Sequence, residues 1–168
     1  FHRGEVYTYN PKTKIWKLFA DGLHEPLGII AEDNHTLVVM QRPELTRLRD
    51  IDGDGEADHY QTISDDFGMT GNYHEFAFGP ARDKDGNYYV GLNLASSGAS
   101  IRPEIRGEFR HYGITREQFY KNHRAGSGRM YSATPYRGWI MKVAPDGKTT
   151  PFASGFRSPN GVNFDAQG

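Results

Sequence analysis

Five carboxylates crowd the nine residues from position 50 to position 58, and their spacing is that of a calcium-binding loop. The carboxylates belong to Asp50, Asp52, Asp54, Glu56 and Asp58. Loops of the EF-hand type place carboxylates at positions 1, 3, 5 and 9, a glycine (here Gly55) at position 6 and a backbone carbonyl at position 7. Four aspartates this close together repel one another unless a cation binds. The run therefore predicts an oxygen-coordinated calcium ion with a structural role.

The loop differs from a complete EF-hand at its twelfth position, where Gln61 stands in place of a bidentate glutamate. We expect Asp58 to complete the coordination shell instead. The alternative interpretation is an acidic hairpin turn that is exposed to water and holds no cation.

A histidine and an arginine are the candidates for catalysis. His74 stands in the run 72–80 (NYHEFAFGP), and Arg157 stands in the run 155–161 (GFRSPNG). If both runs lead into the innermost strands of neighbouring sheets, both side chains project into one central channel. A neutral imidazole there would act as a general base, and a guanidinium would stabilise a developing negative charge. The alternative is that His74 is a hydrogen-bonding histidine of the core.

An internal repeat determines the elements that position these side chains. Residues 4–30 and 138–163 align at a spacing of 133 to 134 residues, so that Phe19 falls on Phe152 and Pro26 on Pro159. Each copy reads as two strands joined by a polar turn and followed by a third strand. A third copy of the inner hairpin spans residues 74–91. Repetition at this scale is typical of stacked copies of one supersecondary unit.

The expected fold class is all-β, a β-propeller with four-stranded blades. The step from Leu27 to His74 is 47 residues, close to the roughly 40 to 50 residues of a propeller blade. The chain accounts for about two and a half blades, whereas a closed propeller needs roughly four to eight. We expect one partial propeller domain over residues 1–168, a fragment whose open edges are covered by remaining blades of the same polypeptide or of another chain.

A segment at about 95–137 interrupts the repeat within one blade. It carries eight arginines and lysines against three glutamates. The run 114–119 is predicted to start a helix, with Thr115 and Gln118 forming a capping box and Ile114 packing on Phe119. One interpretation of the insertion is a solvated surface excursion. The other is a lid that brings arginine and tyrosine side chains to an anionic ligand or a partner.

The composition favours no charged partner. The chain has 20 basic and 21 acidic side chains, which predicts neither a nucleic-acid partner nor a membrane-surface partner. No run of 18 apolar residues indicates a membrane span. Cysteine is absent, which excludes disulfides and cysteine-ligated metals from the given sequence. The absence is compatible with a periplasmic or secreted protein.

The run from Leu23 to Gly168 resembles the soluble quinoprotein sugar dehydrogenase-like propellers, which include the pyrroloquinoline-quinone (PQQ) dependent glucose and aldose dehydrogenases. It looks closest to the large bacterial dehydrogenase-like branch of that superfamily. Two short motifs carry the resemblance. The first comprises His74, the pair Gly79-Pro80, the turn Asp85-Gly86 and the pair Tyr88-Tyr89. The second is the run 155–161, which matches in part the family motif Gly-x-Arg-Asn-Pro-x-Gly.

The resemblance implies a dehydrogenase that oxidises a small sugar or alcohol with PQQ. It implies His74 as the general base, and Arg157 and Asn160 as residues that bind the cofactor. Two positions depart from the family. Ser158 stands in place of its cofactor-binding asparagine, and Tyr73 stands in place of the aspartate that precedes the histidine in the glucose enzyme.

Two alternatives from other functional classes use the same fold. The run 158–165 (SPNGVNFD) also resembles the Pro-Asn-Gly strand of gluconolactonase and regucalcin-like propellers, in which the asparagine (here Asn160) holds a central divalent metal for lactone hydrolysis. Glu25 or Glu75 would supply the channel glutamate of that family. The remaining alternative is a binding or structural propeller with an inert channel.

Overall fold

The computed structural model describes residues 3–96, 105–108 and 130–165, and the regular secondary structure of these ranges is entirely β-strand. Within them, no helix is long and apolar enough to cross a membrane. The helix predicted at 114–119 lies outside the described residues. In chain order the strands are Val6–Asn10 (β1), Ile15–Ala20 (β2), Gly28–Ala31 (β3), Thr36–Met40 (β4), Leu45–Arg49 (β5), His59–Ser64 (β6), Met69–Thr70 (β7), Ala77–Arg82 (β8), Tyr88–Leu92 (β9), Ala95–Ser96 (β10), Ile105–Arg106 (β11), Met130–Tyr131 (β12), Trp139–Val143 (β13) and Thr149–Ser154 (β14).

Two antiparallel four-stranded sheets form the body of the fold, which confirms the all-β prediction. The first sheet has the order β3-β4-β5-β6, and the second has the order β8-β9-β13-β14. Strands β1 and β2 form a separate hairpin, and the short strands form the pairs β7–β11 and β10–β12. Because β9 and β13 are neighbours in one sheet, the chain leaves that sheet after β9 and returns to it after the predicted insertion.

Asparagine and aspartate side chains shape the hairpin turns. After β1, Asn10 Oδ1 accepts hydrogen bonds from the backbone N–H groups of Lys12 (3.0 Å) and Thr13 (3.2 Å). After β8, Asp83 Oδ1 accepts hydrogen bonds from two backbone N–H groups of the next turn in the same way. A short polar side chain that binds backbone amides of the following residues replaces part of the turn's own hydrogen bonding. The hairpins therefore close where the sequence places polar turns.

Two hydrophobic clusters lie on opposite faces of the β3–β6 sheet. Val38 and Met40 in β4 belong to the cluster shared with Val90 of the second sheet. Val39 belongs to the cluster on the other face, which it shares with Phe19 of the β1–β2 hairpin. Successive side chains of a strand point to opposite faces of its sheet. The single strand β4 therefore contributes to both clusters, and the hairpin and the two sheets are stacked in layers.

The outermost strand of each layer carries a β-bulge at the same position. The pairing register skips Phe19 in β2, Ile63 in β6 and Phe152 in β14. Phe19 and Phe152 are also the residues that the internal repeat aligns, so the repeat in sequence is a repeat in structure over the first two strands of each copy. Phe19 is 4% exposed, whereas Phe152 is 62% exposed. Of these two phenylalanines, only Phe19 belongs to a described hydrophobic cluster that it shares with a neighbouring layer.

The first strands of the two sheets meet at a pair of glycines. A Cβ placed on Gly28 in β3 would lie 1.5 Å from the carbonyl oxygen of Gly79 in β8. Only glycine allows backbones to approach this closely. A similar contact holds the segment after β14, because a Cβ on Gly91 in β9 would lie 2.8 Å from Pro159.

Candidate functional site

The turn between β7 and β8 is held by hydrogen bonds among its own side chains. Glu75 Oε2 accepts hydrogen bonds from the backbone N–H (2.5 Å) and the hydroxyl (2.7 Å) of Thr70. Thr70 Oγ1 accepts a hydrogen bond from the N–H of Asn72 (3.0 Å), and Asn72 Oδ1 accepts one from the N–H of His74 (3.1 Å). Thr70, Asn72 and Glu75 are fully buried. This continuous chain of bonds fixes the backbone that carries His74.

Neighbouring elements secure the same turn from both sides. Asn72 Nδ2 donates to the carbonyl of Ser96 (2.9 Å), and the N–H of Ser96 donates back to Asn72 Oδ1 (3.2 Å). The buried guanidinium of Arg42, which follows β4, donates to the carbonyls of Thr70 (3.2 Å) and Asn72. Arg42 Nη1 also lies 3.3 Å from Glu25 Oε2. Glu25 is therefore committed to an ion pair.

His74 itself is half-buried and is the turn's most direct candidate for proton transfer. Its ring meets the edge of the exposed Tyr73 ring at a centroid distance of 4.7 Å. Its Nδ1 is buried, and among the described residues it has no hydrogen-bond partner. A hydrogen bond at one ring nitrogen normally decides which nitrogen carries the proton. Hydrogen bonds hold the backbone of this histidine, whereas no described residue is bonded to its Nδ1.

Arg157 and Asn160 lie after β14 and have exposed side chains. The carbonyl of Arg157 accepts a hydrogen bond from the N–H of Leu94 (3.1 Å), which attaches the segment to the end of β9. Residues 155–165, which were expected to lead into an innermost strand, are not paired as a strand. Within the described parts of the chain, no hydrogen bond or ion pair joins either side chain to His74.

A buried arginine donates hydrogen bonds to the backbone of the His74 turn, and the sequence analysis assigned it no such role. Arg137 is 1% exposed. Its Nε donates to the carbonyl of Gly68 (2.8 Å), and its Nη1 donates to the carbonyls of Glu75 (3.2 Å) and Phe76 (3.3 Å). Burial lowers the pKa of Arg137 to about 10, against a smaller raising effect of the Glu75 charge. Its position in a basic insertion gave no sequence signal for burial.

Several polar atoms around Arg137 are buried without a hydrogen-bond partner in the described structure. They are Glu75 Oε1, Asn93 Oδ1, Thr134 Oγ1 and Arg137 Nη2. Leaving such an atom unpaired costs about 1 to 3 kcal/mol. In folded proteins, ordered water or a bound polar group usually satisfies these atoms. The buried region around Arg137 is therefore strongly polar.

The acidic loop between β5 and β6 is organised around Asp50. Its carboxylate accepts hydrogen bonds from the N–H groups of Gly53 (2.7 Å) and Gly55 (3.0 Å) and lies 3.2 Å from His35 Nδ1. Burial acts to raise the pKa of Asp50, but the hydrogen bonds from His35 and the two glycines outweigh it and lower the pKa. Gly53 and Gly55 have φ values of +80° and +88°, which glycine adopts without strain.

Three of the five predicted calcium ligands come together. One carboxylate oxygen from each of Asp50, Asp52 and Asp58 lies within 4.8 Å of the others. Asp54 and Glu56 are not part of this group, and Glu56 lies 3.5 Å from Lys17 Nζ. Carboxylate oxygens are the ligands that calcium prefers, so the three converging aspartates fit a cation better than the other two residues do.

The comparisons place the chain in one family. It belongs to a family described as a domain of unknown function (DUF7133), whose model matches residues 13–163. A search of curated proteins finds no match to the chain.

Proposed function

We propose that this member of the DUF7133 family is part of a β-propeller that oxidises a sugar or alcohol with PQQ. The observation that carries the proposal is the turn between β7 and β8, where buried hydrogen bonds hold His74 half-exposed at the start of the second sheet. A general base needs a titratable side chain within reach of the substrate on a rigid support. His74 meets the second requirement through Thr70, Asn72 and Glu75.

The repeated bulge supports the propeller arrangement. Phe19, Ile63 and Phe152 take the same place in three successive layers. The first strands of the two four-stranded sheets meet at Gly28 and Gly79. In a propeller, the first strands of successive blades gather around the central channel. We place the His74 turn at the mouth of that channel.

We propose that further sheets cover both outer faces of the stack. A groove of about 540 Å³ lies between β1 and β3. The β1–β2 hairpin has only two strands, whereas each of the two main sheets has four. On the opposite side Phe152 is exposed, whereas the next layer covers Phe19 at the same position of the repeat. Remaining blades of the same polypeptide, or of another chain, would fill the groove and cover Phe152.

The donor chemistry after β14 fits an anionic quinone. PQQ presents carboxylates and carbonyl oxygens, which need hydrogen-bond donors. Arg157 and Asn160 are exposed, and their side chains have no hydrogen-bond or ion-pair partner among the described residues. When bound, PQQ supplies the two-electron acceptor for the substrate carbon. His74 would take the hydroxyl proton, and Arg157 would stabilise negative charge on the quinone oxygen.

Binding of PQQ tests the proposal before turnover is measured. We expect saturable changes in the quinone absorbance when PQQ is added to the full polypeptide, and weaker binding by Arg157→Ala. Asp85→Ala, an exposed change in the turn between β8 and β9, serves as the control and should bind like the parent protein. The dehydrogenase proposal fails if no saturable binding is observed.

The lactone hydrolase alternative receives less support. It requires a channel glutamate that is free to hold a divalent metal together with Asn160. Glu25 is paired with Arg42 at 3.3 Å, and Glu75 is fully buried and bonded to Thr70. Glu25 would have to leave its ion pair with Arg42, and Glu75 could offer only its fully buried Oε1. A protein that binds neither quinone nor a channel metal would instead be a binding or structural propeller.

We further propose a structural calcium ion in the loop between β5 and β6, coordinated by Asp50, Asp52 and Asp58. Such an ion would neutralise the three carboxylates and pin the outer hairpin of the first sheet. A loop with few carboxylate ligands suits the weak calcium affinities, in the range of about 0.1 to 1 mM, of extracellular modules. This supports a periplasmic or secreted location for the protein.

A further inference from the structure

A cleft of about 280 Å³ opens beside the segment that follows β6. It is lined by the exposed residues Asp65 and Asp66, the buried residues Phe67 and Gly68, and Tyr136. Ligand pockets usually start at roughly 300 Å³, so this volume suits a single small ring. The cleft involves neither the His74 side chain nor the donors at Arg157 and Asn160.

The cleft combines acceptors with a donor. Asp65 and Asp66 are exposed, and the Asp66 carboxylate has no hydrogen-bond partner among the described residues. Arg106 Nη1 lies 3.3 Å from Asp65 Oδ2, and its Nε donates to the carbonyl of Phe67 (2.9 Å). A third bond runs from Nη2 to the carbonyl of Pro43. A guanidinium has five N–H donors, so two remain for a ligand.

Tyr136 supplies an aromatic surface in a fixed position. It is 37% exposed, and its ring packs edge-on against Trp139 at a centroid distance of 6.1 Å. Its φ is +67°, a conformation that is uncommon for a bulky residue and that tends to occur at ligand-binding positions. The surrounding structure therefore holds this ring at the wall of the cleft.

Two unpaired polar atoms belong to residues that contact Gly68, which lines the cleft. A Cβ on Gly68 would lie 2.5 Å from Thr134 Oγ1, and Arg137 Nε donates to the Gly68 carbonyl. Thr134 is 1% exposed, and both Thr134 Oγ1 and Arg137 Nη2 have no partner within the described residues. Polar atoms left unpaired beside a cavity indicate water or a polar ligand in their vicinity.

We propose that this cleft binds one neutral sugar ring. Carboxylates accept hydrogen bonds from hydroxyl groups, the remaining guanidinium N–H groups of Arg106 donate to others, and the Tyr136 ring covers the apolar face of the sugar. A cationic ligand would meet Arg106, and an anionic ligand would meet Asp65 and Asp66. A neutral ring with hydroxyls on its rim is compatible with both charges. The site requires neither His74 nor a quinone.

Titration with methyl glycosides of glucose, galactose and mannose tests the proposal, with backbone amide signals of Gly68 and Gly107 followed by NMR. We expect millimolar binding of at least one glycoside. Asp66→Ala should weaken it about tenfold or more, the usual weight of a hydrogen bond to a charged group. Tyr136→Asn should also weaken it about tenfold, because asparagine tolerates the positive φ but lacks the ring. Tyr136→Phe should bind within about threefold of the parent protein, since the ring is retained.

The controls separate this cleft from the proposed catalytic centre. Asp85→Ala and His74→Ala should bind the glycoside like the parent protein. Loss of binding in His74→Ala would show that the sugar binds at the proposed catalytic centre and not in this cleft. The proposal is overturned if no glycoside shifts the two amide signals, or if binding survives both Asp66→Ala and Tyr136→Asn. It is also overturned if methylammonium binds in place of the sugars.

Discussion

The guanidinium of Arg137 donates a 3.2 Å hydrogen bond to the backbone carbonyl of Glu75, a residue 62 positions earlier in the chain. Glu75 in turn binds Thr70 through its carboxylate. The end of the segment between β9 and β13 is thereby joined to the turn that carries His74. Both residues are almost completely buried, so this long-range link determines how rigidly the histidine is held.

Replacing Arg137 should destabilise the fold strongly. Arg137→Ala removes the donor to the carbonyls of Gly68 and Glu75 and one of the two donors to the Phe76 carbonyl, and it opens a cavity at a buried site. We expect a loss of about 3 to 5 kcal/mol in the free energy of unfolding, measured by urea denaturation. Arg157→Ala is the matched control, and because that side chain is exposed the change should stay within about 0.5 kcal/mol. Equal losses in the two variants would contradict the support role of Arg137.

Acid should weaken the contact between the two sheets through Glu32. Burial raises the pKa of Glu32, but hydrogen bonds from Arg47 and Tyr88 outweigh it, and the net effect is a lowered pKa. Arg47 Nε lies 2.6 Å from Glu32 Oε2. A carboxyl whose pKa is lower in the folded state stabilises the fold above its ordinary pKa, near 4.3, and that stability is lost as the pH falls through the folded value.

The corresponding measurement is the free energy of unfolding of parent and Glu32→Gln protein at pH 7 and at pH 3. We expect the variant to be less stable at pH 7 and the difference to shrink at pH 3, since glutamine cannot titrate. Asp85→Asn, an exposed change, is the control and should stay within about 0.5 kcal/mol of the parent protein at pH 7. A difference that is the same at both pH values would rule out an ionised Glu32 as its source.

Calcium binding should depend on Asp52 and Asp58 but not on Glu56. Calorimetry at millimolar calcium should give binding heat that Asp52→Ala and Asp58→Ala abolish, because their oxygens converge within 4.8 Å. Glu56→Ala removes a carboxylate that instead faces Lys17 and should retain most of the affinity. The calcium hypothesis is refuted if the parent protein shows no binding heat or thermal stabilisation at these concentrations.

The repeat is what the sequence predicts best, because it depends on local patterns. The turn at Asn10, the strand pattern around it and the alignment of Phe19 with Phe152 are all visible in the sequence, and the structure shows the same bulge at both phenylalanines. The convergence of Asp50, Asp52 and Asp58 also follows from spacing within one short loop. Local hydrogen bonds and alternating side chains suffice for these features.

The support beneath His74 could not be predicted in the same way. Arg137 stands in a basic segment that reads as solvated surface, and its burial depends on carbonyls 61 to 69 positions away. The ion pair of Glu25 with Arg42 depends on the antiparallel pairing of β3 with β4, which brings the residues before β3 close to the residues after β4. Contacts between distant parts of the chain carry no local sequence signature, so the structure was needed to show which of the candidate site residues are bonded to other partners.

Catalysis, if the dehydrogenase proposal holds, should fail without the imidazole of His74. In the full polypeptide loaded with PQQ and calcium, reduction of an artificial electron acceptor should depend on an added sugar or alcohol. His74→Ala should lower kcat by about two to four orders of magnitude, the usual weight of a general base. Arg157→Ala should lower kcat more than it raises KM, because its charge matters most in the transition state. An unchanged kcat in His74→Ala would remove the histidine from the mechanism.

The contact between Gly28 and Gly79 should be the point at which the sheets tolerate least change. In Gly28→Ala the new Cβ would meet the Gly79 carbonyl at 1.5 Å, so one of the two first strands must move. We expect a loss of about 3 kcal/mol or more in the free energy of unfolding. Gly161→Ala is the matched control, because the repeat aligns Gly161 with Gly28 and no described atom lies within 4 Å of its added Cβ. That variant should stay within about 1 kcal/mol of the parent protein.

If further blades are then supplied and Gly161→Ala alone blocks their docking, the segment after β14 meets the next sheet as β3 meets β8. If Gly161→Ala docks as the parent protein does, a further sheet does not meet the segment after β14 in the way that β3 meets β8.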